Sequence, residues 1–182
     1  DEKGLAVFRC GADPYKAQAA KLWRCSPEEV KPWQRQVGKV AVLGCGYQMG
    51  YTRFASYAAG YGIDLTRAGL DPALVVESWR NSHTPISGEV VSAFTTPEGD
   101  VLPVRAGGLW QLLRDRVKHV VCGEVDQAEA GRCIWTMDGK HLLCIYPSGR
   151  VLRYRDARLE WREPAYGGRP RPTVIYTHPR GF

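Results

Sequence analysis

The sequence predicts an α+β fold, mainly helical at first and built of antiparallel strands over its last third. Three observations predict it. Proline follows a capping Asp or Ser at Asp13-Pro14, Ser26-Pro27 and Asp71-Pro72, the local chemistry of helix starts. A stripe of apolar residues with helical period runs from Leu109 to Val120. Short β-prone runs separated by Asp138-Gly139 and Ser148-Gly149 follow, the turn types of a meander. The βαβα alternation of a parallel sheet is absent.

In chain order, Asp13 caps a helix fed by Lys16, Ala17, Gln18, Ala19, Ala20, Lys21 and Leu22, all good helix formers. Ser26 with Glu29 three residues on reads as a capping box opening a short helix that ends near Pro32. Residues 34–49 read as one further helix, and Asp71 caps another that runs through Arg80 and stops at His83-Thr84-Pro85. Residues 86–106 read as an inserted hairpin turning at Pro97-Glu98-Gly99-Asp100. Residues 107–122 form an amphipathic helix whose Leu109, Leu112, Leu113, Val117 and Val120 are expected to face a core. From about residue 130 to 182 the chain is expected to form antiparallel hairpins, with strands at Arg132–Thr136, His141–Tyr146 and Val151–Tyr154.

At 182 residues with 44% apolar and 24% charged residues, the composition is that of a globular protein. No apolar run approaches the ~20 residues needed to span a bilayer. A cytoplasmic protein without a membrane partner is expected. The six cysteines include no C-x-x-C pair and are expected to be reduced, buried thiols without a disulfide partner. From Arg150 onward, eight arginines stand against Asp156, Glu160 and Glu163, a net of +5 out of the chain's +6. Interleaved with Tyr154, Trp161, Tyr166 and Tyr176, they suit phosphate forks and base stacking. The start at Asp1 without Met and the end at Phe182 are read as those of an excised piece.

The segment Lys39 to Gly50 supports two readings. Val40 to Leu43 followed by Gly44, Gly46 and Gly50 imitates a dinucleotide-binding loop, with Asp64 where a ribose-binding carboxylate would stand. Against it, the apolar run is short, no turn precedes it, and the next candidate strand, Tyr61-Gly62-Ile63, is broken by glycine. In the helical reading, Arg35, Lys39, Leu43 and Tyr47 stand four apart; each step turns the helix by about 400°, so they form one drifting row. Two cations, an apolar platform and a ring suit a nucleoside triphosphate. The glycines at 38, 44, 46 and 50 would then serve close approach of nucleic acid, or bending.

Arg35-x-x-x-Lys39-x-x-x-Leu43-Gly44-x-x-Tyr47 resembles motif B of A-family DNA polymerases, and Gly38 to Gly50 resembles the phage branch in particular. The likeness extends to Asp1–Phe8 and Gly11–Ala20 upstream, and to Trp79-Arg80-x-x-His83 and Tyr146–Tyr154 downstream. Leu43 stands where many relatives have Phe or Tyr, and Tyr15 where cellular relatives have a phosphate-contacting His. The resemblance implies an incomplete polymerase fold, with fingers helices over 1–85 followed by hairpins returning to the palm. It implies dNTP binding by Arg35, Lys39, Leu43, Tyr47 and Tyr15, and contact with primer-template DNA by Tyr47, Gln48, Gly50 and Arg150.

The same resemblance implies phosphoryl transfer with two Mg²⁺ ions held by carboxylates outside this chain. No metal ligand or catalytic residue is therefore assigned here, and the piece alone is expected to be inactive. Asp13, Asp64 and Asp71 read as caps or turn residues, and the four histidines are too scattered for a metal site or triad. Two other classes remain open: an NADP-dependent oxidoreductase domain and a basic nucleic-acid-binding module without catalysis.

Overall fold

The computed structural model describes residues 2–95, 99, 101–163 and 170–177. Pro97, Glu98 and Asp100 of the expected turn, and Tyr166, Arg169, His178 and Arg180 of the basic tail, lie outside them. The fold is α+β with antiparallel sheets, and the chain divides into two compact units, Asp1–Gly108 and Leu109–Phe182. No helix among the described residues is long and apolar enough to cross a membrane.

The first unit holds α1 (Glu2–Arg9), α2 (Pro14–Trp23), α3 (Pro32–Cys45), α4 (Tyr51–Gly60), α5 (Pro72–Ser82), α6 (Thr84–Ser87), and the hairpin β1 (Glu89–Thr95) and β2 (Val101–Ala106). Asp13 caps α2 by accepting from the Tyr15 and Lys16 N–H groups at 2.9 and 3.2 Å, and Asp71 caps α5 by accepting from Ala73 at 2.7 Å. Asp64 receives the Arg67 N–H at 3.0 Å inside a turn. The expected helix after Ser26 is only a turn: the Glu29 carboxylate accepts the Ser26 N–H at 2.8 Å, half of a capping box. Too few residues separate it from Pro32, which opens α3, for a helical nucleus to be repaid by propagation.

On α3 the side that faces inward carries Gln34, Val37, Gly38, Ala41, Gly44 and Cys45, a stripe at i, i+3, i+4, i+7, i+10 and i+11. Val37, Val40, Ala41, Phe54, Ala58, Val75, Val76 and Trp79 belong to the buried core of the unit, and Ala19, Ala20 and Val30 form a further buried cluster. The glycines of α3 serve this packing rather than an approaching nucleic acid. A Cβ at Gly38 would lie 2.2 Å from the Tyr15 carbonyl oxygen, and one at Gly44 would lie 3.1 Å from the Tyr57 ring. α2 and α3 thus cross backbone against side.

The hairpin is fastened to α5 by Arg105, whose side chain is 9% exposed. It donates to Glu77 at 2.6 Å, Asn81 at 2.6 Å and the Gly88 carbonyl at 3.0 Å. Gly88 and Gly108, at φ 87° and 75°, meet at the hairpin's base, where a Cβ on Gly108 would lie 2.4 Å from the Gly88 nitrogen.

His83 stacks on Trp79, with ring centroids 4.2 Å apart, and its Nδ1–H donates to the Trp79 carbonyl at 2.8 Å. Burial, helped by the Lys21 ammonium, holds its pKa below the ordinary histidine value although that bond acts the other way. The unfolded chain then binds the proton more readily, so stability is full above pH ~6.5 and declines as pH falls below it. The urea midpoint of the native protein is expected to drop more between pH 7 and pH 5 than that of His83→Gln. Parallel profiles would remove His83 as a cause.

The second unit holds α7 (Gly108–Val121) and a five-stranded antiparallel sheet in sequential order: β3 (Gln127–Ala130), β4 (Cys133–Asp138), β5 (His141–Ile145), β6 (Val151–Arg162) and β7 (Arg171–Thr177). α7 packs on one face through Val117, Val120 and Val121 against Ala128, Leu142, Ala157, Met137 and Tyr154. The expected core-facing stripe holds in part: Leu113 and Val117 are half-buried and Val120 is buried, whereas Leu109 and Leu112 are exposed. β6 is much longer than expected and bulges between Arg155 and Arg158, where Asp156 takes φ 50°.

All six cysteines are free thiols. Only Cys45 and Cys144 are buried, and burial pushes them up to about 12 and about 11, the latter with the Cys133 thiol beside it. Cys10 and Cys122, expected to be buried, are exposed because each sits just past the end of a helix.

Candidate functional site

The residues singled out in α2 and α3 meet at the N-terminal end of both helices. Arg35 is carried by the second turn of α3, half-exposed beside the buried stripe, and its guanidinium lies 5.2 Å from the centre of the Tyr15 ring. Its Nε donates to the Asp13 Oδ2 at 2.6 Å. Asp13 therefore has two tasks, capping α2 through Oδ1 and holding Arg35 through Oδ2. Desolvation raises its pKa, but the Arg35 bond and the N–H groups of Lys16 and Tyr15 outweigh this and hold the carboxyl below its ordinary value.

Use of Nε by Asp13 leaves the two terminal nitrogens of the Arg35 fork for another acceptor. Lys39 follows one turn later, half-buried, and no carboxylate among the described residues pairs with it. Leu43, the next in the row, is also half-buried. A paired cation that keeps free donors, an unpaired one and an apolar surface suit a phosphate-bearing planar ligand.

The row breaks before its fourth member. α3 ends at Cys45 rather than at 49, the Gly46 N–H turns back to the Val42 and Gly44 carbonyls, and Gln48 enters the left-handed region at φ 63°. Glycine at 46 and 50, just beyond this end, weakens helix continuation by about 1 kcal/mol per residue. Tyr47 therefore stands on a turn, 87% exposed, and not on the helix face. Gln48 is exposed beside it, and Gly50 is the extended N-cap of α4. Residues 40–43, which the dinucleotide reading needed as a strand, are helical.

Arg150 belongs to the second unit, exposed in the β5–β6 turn that is closed by the Tyr146 N–H donating to its carbonyl at 2.9 Å. Neither the cleft lined by Glu77, Arg80, Phe94 and Leu102 nor the one lined by Phe8, Gln18, Val42 and His83 includes Arg35 or Lys39. No three His, Cys, Asp or Glu side chains converge among the described residues, and no chemical step is assigned to a metal held by them. Asp13 was missed as a partner of Arg35 because they stand 22 positions apart. Protein-family models, curated proteins and solved structures offer no match to this chain.

Proposed function

We propose that the first unit is the nucleotide-gripping fingers portion of an A-family, phage-type DNA-directed DNA polymerase, and that Arg35 and Lys39 bind the triphosphate of the incoming dNTP. The observation that carries this is the convergence of Arg35 and Tyr15, predicted separately from different segments, at one helix junction with Lys39 a turn away. In this reading neither cation makes a bond in the reaction. They neutralise charge on the triphosphate and on the departing pyrophosphate, an electrostatic contribution whose loss typically costs about 10²–10³ in rate. Leu43 carries the base, and Tyr47 and Gln48, exposed on the turn after α3, reach the template. The Mg²⁺ ions that activate the primer hydroxyl belong to the palm.

The test is binding of a fluorescent dATP analogue to the 182-residue chain. Lys39→Ala is expected to weaken it by about 10–100-fold, the worth of one charged hydrogen bond, while Lys39→Arg retains most affinity. Unchanged affinity in Lys39→Ala, or tighter binding of NADP than of dATP, would overturn the reading.

A further inference from the structure

The β6–β7 hairpin carries more positive charge than its own fold neutralises. Strand alternation puts Leu152, Tyr154, Ala157 and Leu159 on the side of α7 and the core, and puts Arg153, Arg155, Arg158, Glu160 and Arg162 on the other, the bulge restoring the alternation after Asp156. Arg171 of β7 is directly opposite Arg162 and so shares that face. All five arginines are exposed. Like charges directly opposite on a sheet repel, so the Arg162–Arg171 pair is a cost to folding.

The neutralisation is incomplete. Glu160 serves both Arg158 at 2.8 Å and Arg162 at 3.1 Å, and Asp138 serves Arg153 at 2.9 Å. Asp156 is taken by Lys140 at 2.7 Å. Among the described residues no carboxylate pairs with Arg155 or Arg171. Five guanidiniums thus face outward against two carboxylates, and neither strand contains a lysine.

We propose that this outward face of β6 and β7 is a nucleic-acid contact surface that tracks a phosphate backbone. Arginines at alternate positions of one strand are about 7 Å apart, and the row from Arg153 to Arg162 runs about 30 Å, a line of positive charge suited to a linear polyanion. The exclusive use of Arg fits the two-pronged hydrogen bonding of phosphodiester oxygens, which Lys cannot reproduce. An anionic bilayer is the weaker match: between the arginines β7 offers Thr173, Ile175 and Thr177, too little apolar surface to insert.

The experiment measures binding of the 182-residue chain to a fluorescein-labelled 20-base-pair duplex between 50 and 200 mM NaCl. Arg155→Gln with Arg171→Gln is expected to reduce the slope of log K against log salt by about 1.8, two phosphate contacts at about 0.9 each, equally on unrelated duplex sequences. Arg155→Lys with Arg171→Lys is expected to keep the slope and lose only part of the affinity. An unchanged slope in the Gln variant with native circular dichroism would overturn the proposal. So would equal slope loss in the Lys variant, or capture by phosphatidylserine vesicles without duplex binding. Affinity of the Gln variant for the dATP analogue is a separate readout, so failure of the nucleotide reading and failure of this surface are distinguishable.

Discussion

Gly38→Ala is expected to lower the stability of the first unit by about 2 kcal/mol. The new Cβ would stand 2.2 Å from the Tyr15 carbonyl oxygen and 3.1 Å from both the Ala19 nitrogen and its Cβ. Two of these are backbone atoms, which cannot rotate away, so α2 and α3 must part by about 1 Å to recover normal contact. Overpacking of this kind costs about 3 kcal/mol, offset by the roughly 1 kcal/mol that Ala gains over Gly in a helix. Urea unfolding of the chain measures it. Gly60→Ala, at the last residue of α4 with nothing within 4 Å of its added Cβ, is the control and is expected to be neutral or slightly stabilising. Because the same displacement moves Tyr15 and Asp13 away from Arg35, dATP affinity is expected to fall in Gly38→Ala and not in Gly60→Ala. Equal stabilities would show that α2 and α3 adjust freely.

Arg105→Met is expected to cost about 2 kcal/mol and to release the hairpin before the helices. The substitution keeps much of the stem's apolar bulk and removes the fork that joins β2 to Glu77, Asn81 and the Gly88 carbonyl. Breaking a buried pair typically costs about 3–5 kcal/mol; Glu77 is 24% exposed and retains Arg80 at 3.0 Å, which lowers the figure. Hydrogen exchange locates the effect: the amides paired between β1 and β2 are expected to exchange much faster in the variant, with those of α3 changing little. Uniform acceleration across the unit would mean that the hairpin and helices unfold as one body.

Much of the helical unit was legible because its signals are local. Asp13-Pro14 and Asp71-Pro72 act within three residues, and the carboxylates receive the N–H groups that such caps are built to receive. The hairpin at 89–106 and the sheet at 133–154 were legible for the same reason, from alternation and turn residues. The end of α3 was not, because the glycines just beyond it have the same spacing as glycines that pack a helix, and only tertiary context separates the two uses. β3, Gln-Ala-Glu-Ala, has no strand propensity of its own and exists through its pairing with β4. At the candidate site the helical placement of Arg35, Lys39 and Leu43 was legible, and that of Tyr47 was not. The Asp13 contact was not, since it depends on how two helices cross.

That contact has a thermodynamic consequence. A free arginine side chain loses up to about 2 kcal/mol of rotamer entropy when a ligand fixes it. Arg35 is already held by Asp13 at one edge and by the Tyr15 ring on its face, so most of that ordering is complete before any anion arrives. Binding at this guanidinium should accordingly show a small entropic penalty, the calorimetric signature of a site prepared in advance.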